Sequence, residues 1–109
     1  MAPSSSLTYV LVAPCIPLPK GGHTAYTYHS GKNIQISVGS IVRISFGKRK
    51  ILGVVLQANI KRPRYPTKPI ASVLDVSLTP LQMQYANVIA RLCHGGIGFT
   101  LRLFIPHAL

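Results

Sequence analysis

The segment at residues 41–56 reads IVRISFGKRKILGVVL, which is two apolar runs separated by a glycine and three cations. In the first run every second residue from 42 to 46 is apolar, the period of a strand with one buried face. The second run, residues 51–56, lacks any charged residue and is typical of a strand buried on both faces. Gly53 within it predicts a bulge or a tight bend. Residues 47–50 fit a four-residue hairpin connection, so the segment predicts a β-hairpin.

Short β-prone runs occupy much of the remaining chain. Nine prolines and nine glycines are spread over the 109 residues, which suits many short elements joined by turns. We expect strands at residues 7–12, 26–28 and 70–76. Residues 60–69 read IKRPRYPTKP, whose three prolines exclude a helix and predict an extended, exposed loop. The fold class predicted is mainly β, a small β-barrel of short strands.

One helix is predicted near the C-terminus, capping the barrel. Thr79 is a good N-cap, Pro80 suits the first helical position, and Gln82 completes a capping box. Gly95 and Gly96 are expected to end the helix. Its core-facing stripe is predicted from helical spacing to comprise Leu81, Tyr85, Val88, Ile89 and Leu92.

The ends of the chain and its cysteines add few constraints. We expect residues 1–109 to form a single domain, with residues 1–6 frayed and residues 99–109 beginning a linker. The apolar run at residues 7–16 has no cation before it, so a strand is favoured over a signal peptide, and no run is as long as a membrane span. Cys15 and Cys93 fit no metal-binding spacing and are expected to be reduced thiols.

Charge is the strongest functional signal in the sequence. Twelve lysines and arginines face a single acid, Asp75, for a formal net charge of +11. Such a chain repels itself unless it meets a polyanion, nucleic acid first and an anionic membrane surface second. One acid cannot form a carboxylate pair, and neither a phosphate-binding loop nor a nucleophile elbow is visible. A binding module without catalysis, cofactor or metal is therefore predicted.

Eight of the twelve cations fall within residues 43–68. Their density favours phosphate contact over a merely solvated surface. Tyr65 lies among them and is predicted to be exposed, where it can stack on a base. Tyr26 and Tyr28 are compatible with either the core or a binding surface. The predicted phosphate contacts are Arg43, Lys48, Arg49, Lys50, Lys61, Arg62 and Arg64.

Several motifs follow one another in an order that resembles a known family. They are PLP at residues 17–19, an aromatic-x-Tyr patch at 26–28, VRISFGK at 42–48 followed by LGVV, VLDV followed by LTP, and then HGGIG and a final IP. Each motif alone is weak, but their order and spacing together are specific. Over residues 7–106 the chain resembles the N-terminal DNA-binding domain of the PriA family, the replication-restart helicases also called primosomal protein N′.

The resemblance implies a module that recognises the 3′ end of a DNA strand at a stalled fork and cages the terminal nucleotide without base preference. Carried over by motif, the pocket would comprise Tyr26, Thr27, Gly47 and Lys68, with Tyr28 supporting them. The family often has Asp where this chain has Thr27, so the pocket keeps a hydroxyl but loses a charge there.

The family's winged-helix and helicase domains are expected to lie outside this chain, which therefore would bind DNA without unwinding it. Contacts with other primosome proteins or with single-strand-binding proteins would run through those domains. The resemblance further implies a monomer that is cytoplasmic and nucleoid-associated, with forked DNA and no membrane as its partner.

Two alternatives remain open from the residues. An RNA- or rRNA-binding β-barrel of the ribosomal type has a similar glycine-containing strand-turn-strand, and a single acid in the chain suits rRNA. A protein-docking barrel without a nucleic-acid role is the other alternative.

Overall fold

The computed structural model describes residues 7–16, 25–31, 34, 36–92, 100–101 and 105. In this part of the chain, six strands are followed by a helix that begins at Pro80, so the mainly β prediction with one helix near the C-terminus is confirmed. The sheet curls into a half-barrel with the strand order β5-β2-β1-β4-β3-β6. The elements are β1 Leu7–Pro14, β2 Tyr26–Gly31, β3 Ser40–Phe46, β4 Arg49–Ile60, β5 Lys68–Pro69, β6 Ser72–Ser77 and α1 Pro80–Leu92.

The two edges of the curled sheet are linked by one short stretch of chain. β5 pairs in parallel with β2, and β6 pairs antiparallel with β3. Between β5 and β6, the amide of Ile70 donates to the carbonyl of His29 on β2 at 2.9 Å. The next amide, of Ala71, donates to the carbonyl of Arg43 on β3, also at 2.9 Å. Residues 68–77 therefore connect the β2 edge of the sheet to its β3 edge.

Each face of the sheet carries a buried cluster, and successive residues of β1, β3 and β4 point alternately to the two faces. The inner face carries the buried residues Val10, Val12, Tyr28, Val42, Ile44 and Val55. The helix face carries Ala13, Cys15, Ile41, Val54, Leu78, Met83, Ala86, Leu101 and Ile105. The neighbours Val54 and Val55 fall in different clusters, so β4 is buried on both sides, as its sequence predicts.

The predicted hairpin is present, but its connection is shorter than expected. Phe46 pairs directly with Arg49, so Gly47 and Lys48 alone form the turn, and Lys50 already pairs with Ser45. Gly47 has a φ of 63°, the conformation that a tight hairpin requires of its first turn residue. The four-residue connection was wrong because exposed cations can occupy the end of a strand as readily as a loop.

Gly53 marks a close approach of strands and not the predicted bulge. It lies in regular register with Val42 on one side and with Pro14 on the other. A Cβ at this position would lie 2.6 Å from Cγ1 of Val12, a contact that real side chains do not make. The register of β1 against β4 shifts further along, and Asn59, with a φ of 54°, lies in that irregular part of β4.

The N-terminus of α1 is confirmed in detail. The side chain of Gln82 accepts a hydrogen bond from the amide of Thr79 at 2.9 Å. In return, the amide of Gln82 donates to the hydroxyl of Thr79 at 3.1 Å. This reciprocal pair satisfies two backbone donors that would otherwise lack helical partners.

The predicted core-facing stripe of α1 is wrong at Leu81, Tyr85 and Val88, whereas Ile89 is half-buried and the side chain of Leu92 lies outside the described part of the structure. Leu81, Tyr85 and Val88 are 57, 56 and 53 % exposed, whereas Met83 and Ala86 are buried against the sheet. Met83 and Ala86 are three residues apart and form an apolar stripe of their own. The helix therefore packs on the smaller of its two apolar stripes.

The chain beyond α1 is described at three positions, and Thr100, Leu101 and Ile105 are all buried there. Leu101 and Ile105 belong to the same cluster as Met83 and Ala86. The frayed start, the glycine pair expected to end α1, and Cys93 lie outside the described residues, and the domain bounds stay a prediction. Among the described helices, none has both the length and the apolar character needed to cross a membrane.

Candidate nucleic-acid interface

A cavity of about 480 Å³ opens beside the hairpin turn. Three segments that are distant in sequence line it, namely residues 25–28, 45–47 and 65–68. They come from β2, from the end of β3 with its turn, and from the loop that leads into β5. The five residues assigned to a pocket by family resemblance all lie on its wall: Tyr26, Thr27, Tyr28, Gly47 and Lys68.

The curvature of the sheet builds the side of this cavity between β2 and β3, which are not neighbours in the strand order. The hydroxyl of Tyr28 donates to the carbonyl of Ser45 at 2.8 Å. The ring of Tyr26 meets that of Phe46 edge to face, with centroids 5.2 Å apart. Tyr26 and Tyr28 thus face inward together and hold the two strands at a defined separation.

Tyr28 belongs to both the core and the cavity wall. It is 4 % exposed and is packed in the inner-face cluster, while part of its surface lines the cavity. Burial raises the pKa of its phenol above 10.0, and the neighbouring Tyr26 adds to this shift. Since both shift the pKa upward, Tyr28 keeps its proton and its hydrogen bond to Ser45 at neutral pH. Its role here is structural support of the wall.

The loop side of the cavity is held by hydrogen bonds to β2. The hydroxyl of Tyr65 donates to Oγ1 of Thr27 at 3.3 Å. The hydroxyl of Thr67 lies 2.6 Å from Nδ1 of His29, and Lys68 is the register partner of Tyr28. Tyr65 nevertheless keeps 59 % of its surface exposed, so its ring remains accessible as a stacking platform.

Gly47 leaves the mouth of the cavity open. A Cβ built on it would meet no described atom within 4 Å, so the space above its backbone is free in this part of the structure. Its φ of 63° is also strained for most residues with a side chain. The turn therefore favours glycine, and the same glycine leaves open space above the backbone at the cavity mouth.

All seven predicted phosphate contacts are exposed, but strand pairing divides them. Arg43 alternates with the inward-facing Val42 and Ile44, so it lies on the helix face, and so does Lys50, the register partner of Ser45. Arg49 pairs with Phe46 on the inner face, where the cavity is. Arg43 and Lys50 are therefore on the opposite side of the hairpin from the cavity.

The two cationic segments also begin at opposite ends of β4. Arg49 starts this twelve-residue strand and Lys61 follows its last residue, which puts them about 40 Å apart along a straight strand. The loop then returns towards the hairpin turn, where Tyr65 and Lys68 line the same cavity as Gly47. The second basic segment thus begins far from the cavity and ends on its wall at Lys68.

Several cavity residues were not identified from the sequence. They are Ala25, Ser45, Phe46, Pro66 and Thr67. Phe46 has a usable signal, because alternation in β3 puts it on the inner face next to the turn. The contribution of Thr67 depends on its contact with His29, which no local pattern indicates.

In the described part of the chain, no group of three or more His, Cys, Asp or Glu side chains is placed to hold a metal ion. Cys15 is buried in the helix-face cluster, away from the cavity wall.

Comparison with known proteins agrees with the resemblance noted from the motifs. A family model described as the 3'DNA-binding domain (3'BD), of PriA, matches residues 15–106, more than four fifths of the chain. The matched range includes every segment that lines the cavity. No curated protein matches the chain.

Proposed function

Because the chain belongs to the 3'DNA-binding domain (3'BD) family of PriA, we propose that its cavity holds the 3′-terminal nucleotide of a DNA strand. The observation that supports this most is that separate segments of the chain meet at one cavity. Five residues named from family motifs, in three separate segments, line one cavity of about 480 Å³. That volume lies in the range of small-ligand pockets and suits one nucleotide but not a duplex.

The walls suit a nucleotide whose base is held by stacking. Tyr65 presents an exposed aromatic ring, and Tyr26 presents a half-buried one that packs against Phe46. Stacking on such rings is worth about 1–3 kcal/mol per base and tolerates every base, since each has an aromatic face. This is the physical reason for proposing recognition without base preference.

The remaining cavity groups suit the sugar and its phosphate. Lys68 provides a cation, Thr27 a hydroxyl, and Gly47 an open approach to the backbone. A chain terminus can enter such a recess, whereas a nucleotide inside a strand needs an exit for the next phosphate. We expect this difference to favour an end over an interior position.

The exposed cations outside the cavity supply attraction that does not depend on sequence. Arg43 and Lys50 on the helix face of the hairpin can meet a DNA segment other than the one that enters the cavity. This arrangement suits branched DNA with a 3′ end near the branch. We further propose that the chain serves replication restart as a monomer associated with the nucleoid in the cytoplasm, a role supported by its family membership.

A comparison of linear with circular DNA tests the proposal directly. Affinity is measured for a linear single strand and for the same strand closed into a circle, in buffer of fixed salt concentration. We expect the linear strand to bind more tightly than the circle. Affinities for linear strands that end in each of the four bases should agree within about twofold. Equal affinity for the circle would reject the cavity as an end-binding site and leave a general basic surface. Structured RNA that outcompetes both DNAs would instead favour the rRNA-binding alternative.

A further inference from the structure

Among the described residues, the cavity wall has a cation and no acid. Lys68 is the one charged residue on this described wall, and its side chain is exposed. The single acid of the chain, Asp75, is exposed on β6 and is absent from the lining. Any ligand atom in the cavity therefore meets a positive potential that no acidic side chain compensates, in a chain of net charge +11.

The hydrogen bonds on the cavity wall also favour a ligand that accepts hydrogen bonds. Tyr65 and Thr27 share one hydrogen bond between their hydroxyls, so one of the two hydroxyl hydrogens stays available for another acceptor. Tyr28 uses its own hydrogen on the carbonyl of Ser45. The two central amides of a two-residue hairpin turn, here Gly47 and Lys48, take no part in pairing the strands. The groups left to act on a ligand are mainly donors.

Such a wall is better matched to a phosphomonoester than to a free hydroxyl. A terminal phosphate carries about 1.5 to 2 negative charges at pH 7 and three acceptor oxygens, all of which gain from Lys68 and the donors around it. A free 3′-hydroxyl gains most from a strong acceptor such as a carboxylate, and the described cavity wall has none.

Building on the proposed function, we propose that the cavity accepts a DNA end bearing a 3′-phosphate and binds it more tightly than the same end with a 3′-hydroxyl. Lys68 pairs with the terminal phosphate, and Thr27 donates to one of its oxygens. The substrate class is thereby extended from 3′-hydroxyl ends to 3′-phosphorylated ends.

The experiment compares one oligonucleotide in four forms: 3′-hydroxyl, 3′-phosphate, 5′-phosphate with 3′-hydroxyl, and circular. We expect the 3′-phosphate form to bind about two- to fivefold more tightly than the 3′-hydroxyl form, the range of a partly exposed ion pair. The 5′-phosphate form should bind like the 3′-hydroxyl form. Millimolar inorganic phosphate should reduce the 3′-phosphate advantage if free phosphate shares the site, and leave it intact if the attached nucleotide is required.

Two variants with matched controls locate the effect. Lys68→Gln should abolish the 3′-phosphate advantage. Lys61→Gln loses the same charge outside the cavity, so it should lower the affinity for the 3′-phosphate and 3′-hydroxyl forms equally and keep the ratio of the two affinities. Thr27→Asp should reverse the preference, so that the hydroxyl end binds more tightly. Gln84→Asp adds the same charge on the exposed side of α1 and should leave the ratio unchanged. Thermal unfolding of each variant verifies that it is folded.

The outcomes separate the two proposals. If the circle loses affinity but the 3′-phosphate end binds no better than the hydroxyl end, this inference is overturned and the end-binding function stands. An equal gain from a 5′-phosphate also overturns it, because the gain is then general charge attraction. If the circle binds as well as the linear strands, the end-binding function itself fails.

Discussion

The hydroxyl of Tyr28 on β2 lies 2.8 Å from the carbonyl of Ser45 on β3, although two other strands separate β2 and β3 in the sheet. This hydrogen bond spans the concave side of the half-barrel. It connects the strand that carries Tyr26 and Thr27 to the strand that ends at Phe46, next to Gly47. The distance between the two principal walls of the cavity therefore depends on it.

Replacing Tyr28 by Phe tests this relationship. The variant keeps the buried ring but leaves the Ser45 carbonyl without this donor, so we expect the free energy of unfolding to fall by about 1 kcal/mol. Discrimination between linear and circular DNA should fall as well, because the walls lose their spacing. Urea denaturation and the binding comparison measure the two effects. Tyr85→Phe, on the exposed side of α1, is the control and should change stability by less than about 0.5 kcal/mol.

Alkaline pH should act on the same group. Burial first, and then the neighbouring Tyr26, raise the pKa of Tyr28 above its value of 10.0 in the unfolded chain. The folded state thus retains this proton where the unfolded state has lost it, and the free energy of unfolding falls as pH rises above about 10. Stability measured between pH 8 and pH 11 should decline less in Tyr28→Phe than in the natural sequence. Identical slopes would show that Tyr28 does not contribute to the decline.

A substitution at Gly47 tests its role in binding separately from its role in the turn. Asn tolerates a positive φ, so Gly47→Asn should keep the turn at a cost below about 1 kcal/mol while placing a side chain at the cavity mouth. We expect it to lose preference for linear over circular DNA and to retain its salt dependence. Gly31→Ala, at an exposed glycine outside the cavity, should alter neither property. A folded Gly47→Asn that still discriminates would remove Gly47 from the site.

The cations beside Gly47 should behave differently. Changing Lys48, Arg49 and Lys50 together to Ala should weaken linear and circular DNA alike, because these exposed side chains attract phosphate wherever it lies. The slope of log affinity against log salt should become shallower by about 0.7 for each phosphate of a single strand that the variant no longer neutralises, and by about 0.9 on a duplex. A changed ratio of linear to circular affinity would instead place one of the three in the end-binding site.

The packing of α1 makes a prediction about stability alone. Met83→Ala removes a buried side chain from the helix-face cluster and should cost about 2 kcal/mol or more. Leu81→Ala removes a residue of the larger apolar stripe that is mostly exposed, so we expect a change below about 0.5 kcal/mol. Thermal unfolding of both variants decides which stripe faces the sheet. A large cost at Leu81 would contradict the observed orientation.

Prediction from sequence succeeded for features that are determined by residues close together in the chain. The capping box depends on Thr79 and Gln82, three residues apart, and both of its hydrogen bonds are present. The hairpin follows from alternation on either side of Gly47, although the turn proved to be two residues long. The five pocket positions came from family motifs, and the structure brings them to one cavity; their contact with DNA stays a prediction.

Prediction from sequence failed where the helix carries two apolar stripes. Helix α1 has one stripe through Leu81 and Tyr85 and another through Met83 and Ala86, and hydrophobic periodicity favours the larger. The structure buries the smaller stripe, together with Leu101 and Ile105. Which side chains fit against the sheet depends on the shape of that sheet, which no window of helical sequence contains.

The sequence by itself determined the mainly β fold, the hairpin, the start of the helix, and the excess of positive charge, because each depends on residues close together in the chain or on composition alone. Only the tertiary structure decided which residues share a cavity. Curling of the sheet brings Tyr28 to Ser45 and Tyr65 to Thr27, pairs that are 17 and 38 residues apart. Strand pairing likewise assigned Arg43 and Lys50 to the side away from the cavity. Such contacts arise from sheet curvature and register, which the whole set of strands sets jointly.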